Sequence, residues 1–528
     1  MNPYFTDPLS GLNDFHLLQE QLADSSGRSA FQITGAADSG ETHLAASLGS
    51  NIKYKIIITF HDIRAREIYD DMKSFDANTF YYPAKDFIFF SADAYGNLII
   101  RQRLDAISQL VNGQPFTLIT TIDGLMDKLV PLKCIQEGIL KIEYDEQIDI
   151  NELKNSLVYS GFERTEQVES PGQFAIRGGI IDIFPLTSDQ PYRIELWDDI
   201  IDSIRSFDPL SQRTIENVNE ITIYPASEYL LSSHQIEKGI KEIKLELDAR
   251  IKVLKDTFKT EEAHRLSSTV NEFTERLSIS RTGVFLDSFM PYFYQETSSL
   301  LDYFPVEDTI LFIDEPSRTL ERADTVEQEF RESMASRIEG GYVMAGQTEV
   351  FLSTALILAK LSSFRAVLFT TLDQKIKSFA IKEKYSVSIR NINPYNNNFE
   401  LLVKDLSYYK KEGWRTLIMC GSRSKAARLA DTLLQDFHLN AFTSDNPDCL
   451  IQPGQILLTS GNIHRGFEYP MIKFSVISES DVFGNIKKKK RNRKKYSGEK
   501  ISGFSELKIG DYVIHENHGL GIYRGLEK

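Results

Sequence analysis

A chain of 528 residues, 41% hydrophobic, 26% charged and 11% aromatic, is too long for one core and too apolar to be disordered, so about three to five globular domains are expected. A formal net charge of −15 excludes a surface given over wholly to polyanions, and three widely separated cysteines, Cys134, Cys420 and Cys449, exclude a disulfide framework. The N-terminal "MNPYFTDPLSGLND" is acidic without an apolar stretch, and no window reaches about 18 uninterrupted apolar residues, so a cytoplasmic protein is expected, neither exported nor membrane-embedded.

Up to about Leu132, short apolar runs ("FQIT", "YKIIITF", "FTLITT") alternate with helical stretches, the pattern of an open α/β sheet. Within it, "ITGAADSGETHLAASL" has the register of a phosphate-binding loop, with Gly35, Gly40 and Thr42 in place and Glu41 where the loop's lysine belongs. Glutamate reverses the sign of the charge offered to a phosphate. At about 4 Å and an effective dielectric near 20, one unit charge acting on another amounts to roughly 4 kcal/mol, so the loop is expected to bind no ATP. An acid pair that could complete such a site, Asp314 and Glu315, closes the strand "ILFIDEP". Without a competent loop, both read as relics or as helix-start caps.

From about Ile135 the texture changes to short alternating strands with turn residues, a β-rich insert. In "PYRIELWDD", strand parity puts Tyr192, Ile194 and Leu196 on one face and Arg193, Glu195 and Trp197 on the other. Arginine and tryptophan on the polar face of a sheet have the composition of an interface hot spot; the competing reading is a face covered by another domain of the same chain. Arg177, beside Gly178 and Gly179, can join that surface or be an ordinary surface charge.

Between His234 and Arg276 the apolar residues Ile236, Ile240, Ile243, Leu247, Ile251 and Leu254 recur at threes and fours, a helix with a core stripe and a solvated charged face. A second α/β region, with strands "AVLFTT", "RTLIMC" and "KFSVISES", runs to Gly484. The basic run Lys487, Lys488, Lys489, Lys490, Arg491, Arg493, Lys494 and Lys495 is flanked by glycines and has no interleaved aromatics; it reads as a solvated linker or a non-specific contact for nucleic-acid phosphates. His515 and His518 have a metal-like spacing but no third ligand, so turn histidines are expected and no metal. The hairpin-like "GDYVIHENHGLGIYRG" runs up to Lys528, and a truncated chain is expected.

The block Glu169 to Tyr229, with "RGGIIDIFP", "PYRIEL", "IRSFD" and "SQRT" in order, closely resembles the UvrB-like module of the bacterial transcription-repair coupling factors. "FYYPAKDFIFFSADAYGN" and "SELKIGDYVIHENHGLGIYRG" resemble two further blocks of that family. The resemblance implies a multidomain α/β fold. A degenerate RecA-like, UvrB-like domain (1–134 and 226–348) would be split by a β-rich UvrA-binding insert (135–225). A small α/β domain (349–484), a basic linker (485–504) and the start of a β-barrel-like, RNA polymerase-binding domain (505–528) would follow. It implies UvrA contacts at Arg177, Arg193 and Trp197, the last where the family more often has phenylalanine. It also implies a non-catalytic fragment without cofactor. ATP, Mg²⁺ and most double-stranded DNA contact would belong to the motor of the longer parent, whose C-terminal domain would mask the UvrA surface. Glu41 argues against the rival reading, a UvrB-type damage-verifying ATPase, as does the absence of UvrB's long aromatic hairpin. A stand-alone transcription regulator would leave most of the chain without a role.

Overall fold

The computed structural model describes residues 1–12, 14–24, 28–85, 97–280, 286–444, 446, 448–484, 512–515 and 519–522. Seven strands form a parallel sheet in the order Ile381–Ser386, Ala30–Thr34, Arg365–Thr370, Thr309–Asp314, Tyr54–Thr59, Phe116–Thr121 and Thr79–Tyr82. Its inner strands are almost continuously apolar and wholly buried, as a parallel sheet covered on both faces requires. The loop with Gly35 joins the strand Ala30–Thr34 to the helix Asp38–Leu48, and the loop with Phe60 and His61 leads into the helix Asp62–Phe75. His61 caps that second helix, its Nδ1 accepting the Arg64 N–H at 3.1 Å.

The boundary expected at residue 349 is corrected by this topology. Arg365–Thr370 lies in the middle of the first sheet, paired with Ala30–Thr34 on one side and Thr309–Asp314 on the other, and Ile381–Ser386 forms its edge. The second sheet begins only at Arg390. Its order is Arg390–Asn391, Phe467–Tyr469, Phe474–Ser478, Arg415–Cys420, Ile456–Ser460 and Phe442–Thr443. The two sheets share one apolar cluster: Phe31, Leu44, Ala45 and Phe75 of the first unit pack with Leu417, Phe467, Tyr469 and Phe474 of the second. That sharing buries the helix Asp38–Leu48 along nearly its whole length.

The insert is a six-stranded sheet in the order Thr214–Asn217, Ile200–Phe207, Tyr192–Trp197, Ile180–Ile183, Gln173–Arg177 and Glu163–Arg164, covered on one face by the helix Ile150–Tyr159. Phe174, Ile181, Ile183, Ile194, Ile201 and Ile204 fill that covered face with Leu153 and Leu157. Leu140–Glu143 and Glu220–Ile223 pair antiparallel at its base. Where the chain leaves the insert, the buried Glu228 takes Arg103 Nε at 2.7 Å; Arg103 also reaches Asp127 at 2.8 Å, and Lys85 bridges Glu228 to Asp287. Paired buried charges of this kind fix an orientation, and here they tie the insert to the parallel-sheet unit.

Ser232 and Gln235 form a capping box at the start of the long helix Ser233–Asp256, which packs antiparallel on Thr260–Ser280. Ile236, Ile243, Leu247 and Leu254 of the apolar stripe are buried, and Ile240 and Ile251 pack half-buried beside them. Among the described residues no helix is long and apolar enough to cross a membrane.

Candidate docking face and the filled phosphate loop

Strand register brings three arginines of the insert together. Arg193 pairs across the sheet with Asp182 on one side and with Arg205 on the other, while Ala175, two residues from Arg177, faces Asp182. Alternation therefore places Arg177, Asp182, Arg193, Glu195, Trp197 and Arg205 on the face opposite the apolar core. Asp182 is buried at its centre. It accepts Arg193 Nε on Oδ1 at 2.6 Å and Arg193 Nη2 on Oδ2 at 2.8 Å, and Arg177 Nη2 donates to the same Oδ2. Arg193 Nη2 also donates to Gln212 Oε1 at 2.8 Å, and the guanidinium lies 4.4 Å from the centroid of Phe207. The hydrogen bond to Asp182 holds the Arg193 charge above its already high range.

The guanidinium fork expected to meet a partner is therefore engaged by the chain's own carboxylate. Arg193 keeps 14% of its side chain exposed, whereas Arg177 keeps 44%. Trp197, at the end of its strand, is 79% exposed, so no described segment covers that end of the face. Arg205, ion-paired to Glu195, is a fourth member that sequence reading missed; pairing the two halves of "YRIELWDDIIDSIRSF" as a hairpin could have found it.

The phosphate-type loop is organised in the opposite sense. Of its sequence-picked residues Glu41 and Asp314 meet, at Arg64 of the helix Asp62–Phe75, while Thr42 is buried in the helix Asp38–Leu48. Arg64 lies 3.8 Å from Glu41 Oε2 and 3.4 Å from Asp314 Oδ2, and its Nη2 donates to the Asp38 carbonyl at 3.4 Å. Thr59 Oγ1 adds a 2.7 Å hydrogen bond to Asp314. A cation of the protein itself thus holds together the carboxylates of the site. Burial pushes the Glu41 carboxyl well above the usual range, Asp314 adds to this, and Arg64 opposes it. Glu315 turns away: in a left-handed conformation (φ 45°), it precedes the helix Pro316–Glu339 without a side-chain cap and accepts the Thr371 N–H at 2.8 Å.

Both loop glycines are explained by packing against the segment that runs from the edge strand Ile381–Ser386 to the second unit. Gly35 has φ +89°, and a Cβ there would lie 2.2 Å from the Val387 carbonyl; a Cβ on Gly40 would lie 2.5 Å from Ile389 Cγ2. The segment Gly461–Gly466 closes over the loop. Arg465 donates its N–H to Ser39 Oγ at 3.0 Å and reaches Asp38 at 3.3 Å, Asn391 Nδ2 reaches Asp38 at 2.7 Å, and the His464 N–H donates to Asp71. Beneath them, His43 is wholly buried between Tyr469 Oη (2.9 Å) and the Phe5 carbonyl (3.0 Å), and burial lowers its pKa to about 3. Arg64, Asp71, His43 and Arg465 gave no sequence signal; each reads as an ordinary helix or loop residue until the two units meet.

The basic run from Lys487 to Lys495 and His518 lie outside the described residues, and His515 belongs to the strand Tyr512–His515 of a hairpin with Gly519–Ile522. Among the described residues no group of three or more His, Cys, Asp or Glu is arranged to hold a metal ion.

Residues 140–229 match the UvrB interaction domain family, and residues 507–528 match the CarD-like/TRCF RID domain family. The chain is 32% identical to a transcription-repair-coupling factor of Bacillus subtilis over 99% of its own length and 43% of that protein. It is 28% identical to the Staphylococcus haemolyticus transcription-repair-coupling factor, over 100% of this chain and 44% of that protein. It is 27% identical to that of Staphylococcus aureus (strain Mu50), over 95% and 42%. The chain thus spans a little over two fifths of the length of the curated relatives it matches.

Proposed function

We propose that this chain, a relative of the transcription-repair-coupling factors along nearly all of its length, is the non-catalytic docking scaffold of such a factor. Its insert recruits the excision-repair protein UvrA, and the region matching the CarD-like/TRCF RID family engages RNA polymerase. In the longer protein, a motor with ATP and Mg²⁺ would act on double-stranded DNA to displace stalled polymerase in the cytoplasm, and a C-terminal domain would mask the docking face until then. The seven-stranded parallel sheet is read as a RecA-like, UvrB-like domain that retains its shape without its nucleotide.

The observation that carries this reading is the exposed pair Arg177 and Trp197, beside Arg193 on a buried carboxylate, within the segment that matches the UvrB interaction domain. The filled loop supports the non-catalytic part. Titration of UvrA with this chain tests the docking. Arg177→Ala and Trp197→Ala are the informative variants, because these are the two exposed side chains of the face; charge reversal at either arginine would set a glutamate against the buried Asp182. Weakening of about tenfold or more in each variant is expected, and wild-type affinity in both would overturn the proposal. For the loop, calorimetry should detect no saturable ATP binding at millimolar nucleotide. Glu41→Lys should not restore it, since the new cation faces Arg64 and the Gly461–Gly466 segment still covers the loop.

A further inference from the structure

The turn between the strands Ile200–Phe207 and Thr214–Asn217 exposes Leu210 to 93%, as fully as a leucine can be shown to water. The turn is held rigid. The Asp208 N–H donates to the Arg213 carbonyl at 2.9 Å, the Gln212 N–H to the Asp208 carbonyl at 2.8 Å, and the Ser211 N–H to Asp208 Oδ1 at 2.7 Å. Gln212 adopts φ 58°, donates its Nε2 to the Pro209 carbonyl at 2.8 Å and accepts Arg193 Nη2 on its Oε1. Arg193 therefore has two holds, one on Asp182 in the sheet and one on the turn that carries Leu210.

We propose that Leu210 is a further anchor of the insert's docking face, an apolar knob that Arg193 positions through Gln212 for an apolar socket of the same partner. This rests on the UvrA-docking reading. Three features favour a protein partner of that chemistry. The knob is continuous with the arginine face through a direct hydrogen bond. Hydrogen bonds hold the backbone of its turn, so little backbone ordering entropy remains to be lost when it is buried. The face beside it combines Arg177 with an exposed Trp197, the aromatic and cationic composition of protein-binding hot spots, and it fits a partner whose apolar socket is bordered by carboxylates. A nucleic-acid partner is disfavoured by the insert itself, where acidic residues outnumber basic ones between Leu140 and Tyr229.

The test is a titration of UvrA with wild type, Leu210→Ser, Gln212→Ala, Arg177→Ala and Phe258→Ser at two salt concentrations. Phe258 is equally exposed, at 93%, but sits at the tip of the helical hairpin outside the insert, so it serves as a matched control. Because Leu210 touches so little of the fold, its variant should keep the wild-type unfolding midpoint. The proposal expects Leu210→Ser to bind about tenfold more weakly with an unchanged salt dependence, Gln212→Ala to lose less, and Phe258→Ser to bind as wild type. If Arg177→Ala weakens binding and Leu210→Ser does not, the anchor is refuted while the docking face stands. If neither variant changes binding, or the wild type does not bind, the docking reading itself fails and the anchor with it.

Discussion

Arg64 and Arg193 are nearly equally shielded from solvent, each clamped on a buried aspartate, yet they organise opposite kinds of surface. Arg64 gathers Glu41, Asp314 and the Asp38 carbonyl inward, and a segment of the second unit then closes over the loop. Arg193 is held inward by Asp182, but its neighbours Arg177 and Trp197 project outward and nothing described covers them. The difference lies in what the rest of the chain does with each array. A buried ion pair sets geometry in both places; only the uncovered one can be read by another molecule.

The strongest way to break this comparison is to remove the cation of the closed array. Arg64→Ala leaves Glu41 and Asp314 buried without their counter-charge, and a loss of about 3–5 kcal/mol in unfolding free energy is expected from urea titration. Arg193→Ala should cost less, about 1–3 kcal/mol, because Arg177 still donates to Asp182. Equal losses would mean that the two arrays are the same kind of structural pair. On the display side, Trp197→Ala should weaken UvrA binding by about 2 kcal/mol, roughly thirtyfold, while leaving stability within about 0.5 kcal/mol of wild type.

The pH response sharpens the same contrast, because the closed loop has buried titrating groups of opposite sign: the raised carboxyls of Glu41, Asp71 and Asp314, and the lowered His43. Burial pushes the Asp71 carboxyl up to about 7, against Ser39, the His464 N–H, the His464 imidazole and Arg64, which all lower it. The folded state therefore holds its proton above the pH at which the unfolded chain loses it, so the stability it contributes is full below about pH 4 and is lost as pH rises towards 7. His43 runs the other way: with its pKa lowered to about 3, its contribution is present above about pH 6.5 and is lost as pH falls towards 3. Between about pH 4 and 6.5 the two slopes offset each other. In Asp71→Asn, the slope of stability against pH across that window should be more positive than in wild type, by up to about 1.4 kcal/mol per pH unit, as read from urea midpoints. A variant that tracked the wild-type curve would place Asp71 outside the closed array. The smallest effect belongs to Phe258→Ser at the hairpin tip, expected to stay within about 0.5 kcal/mol in stability; a larger change would mean that the tip packs on something.

How much of this was legible in the sequence follows from how local each feature is. The alternation of "YRIELW" gave the face of Arg193 and Trp197 directly, since side-chain parity is fixed by strand geometry alone. Glu41 was legible as a departure from the phosphate-loop pattern, because a single charge at a fixed spacing carries its own meaning. Its partner Arg64 was not legible: in "DIRAREIYDD" it is one charge among several on a helix, and only the covering second unit makes it special. The boundary at residue 349 failed for a related reason. "RAVLFT" is an apolar run that fits any sheet, and nothing local says that it belongs between strands more than 50 and more than 300 residues earlier in the chain.

That central position of Arg365–Thr370 bears on how the polypeptide is made. The strand Ala30–Thr34 pairs only with Arg365–Thr370 and Ile381–Ser386, so during synthesis it waits without a neighbour until more than 330 further residues have left the ribosome. The insert, whose six-stranded sheet lies between Glu163 and Asn217, can pair with itself long before that. Contacts of such different sequence separation form at very different rates. The module that displays the arginine face is therefore ready on the nascent chain while the sheet that carries it is still unfinished.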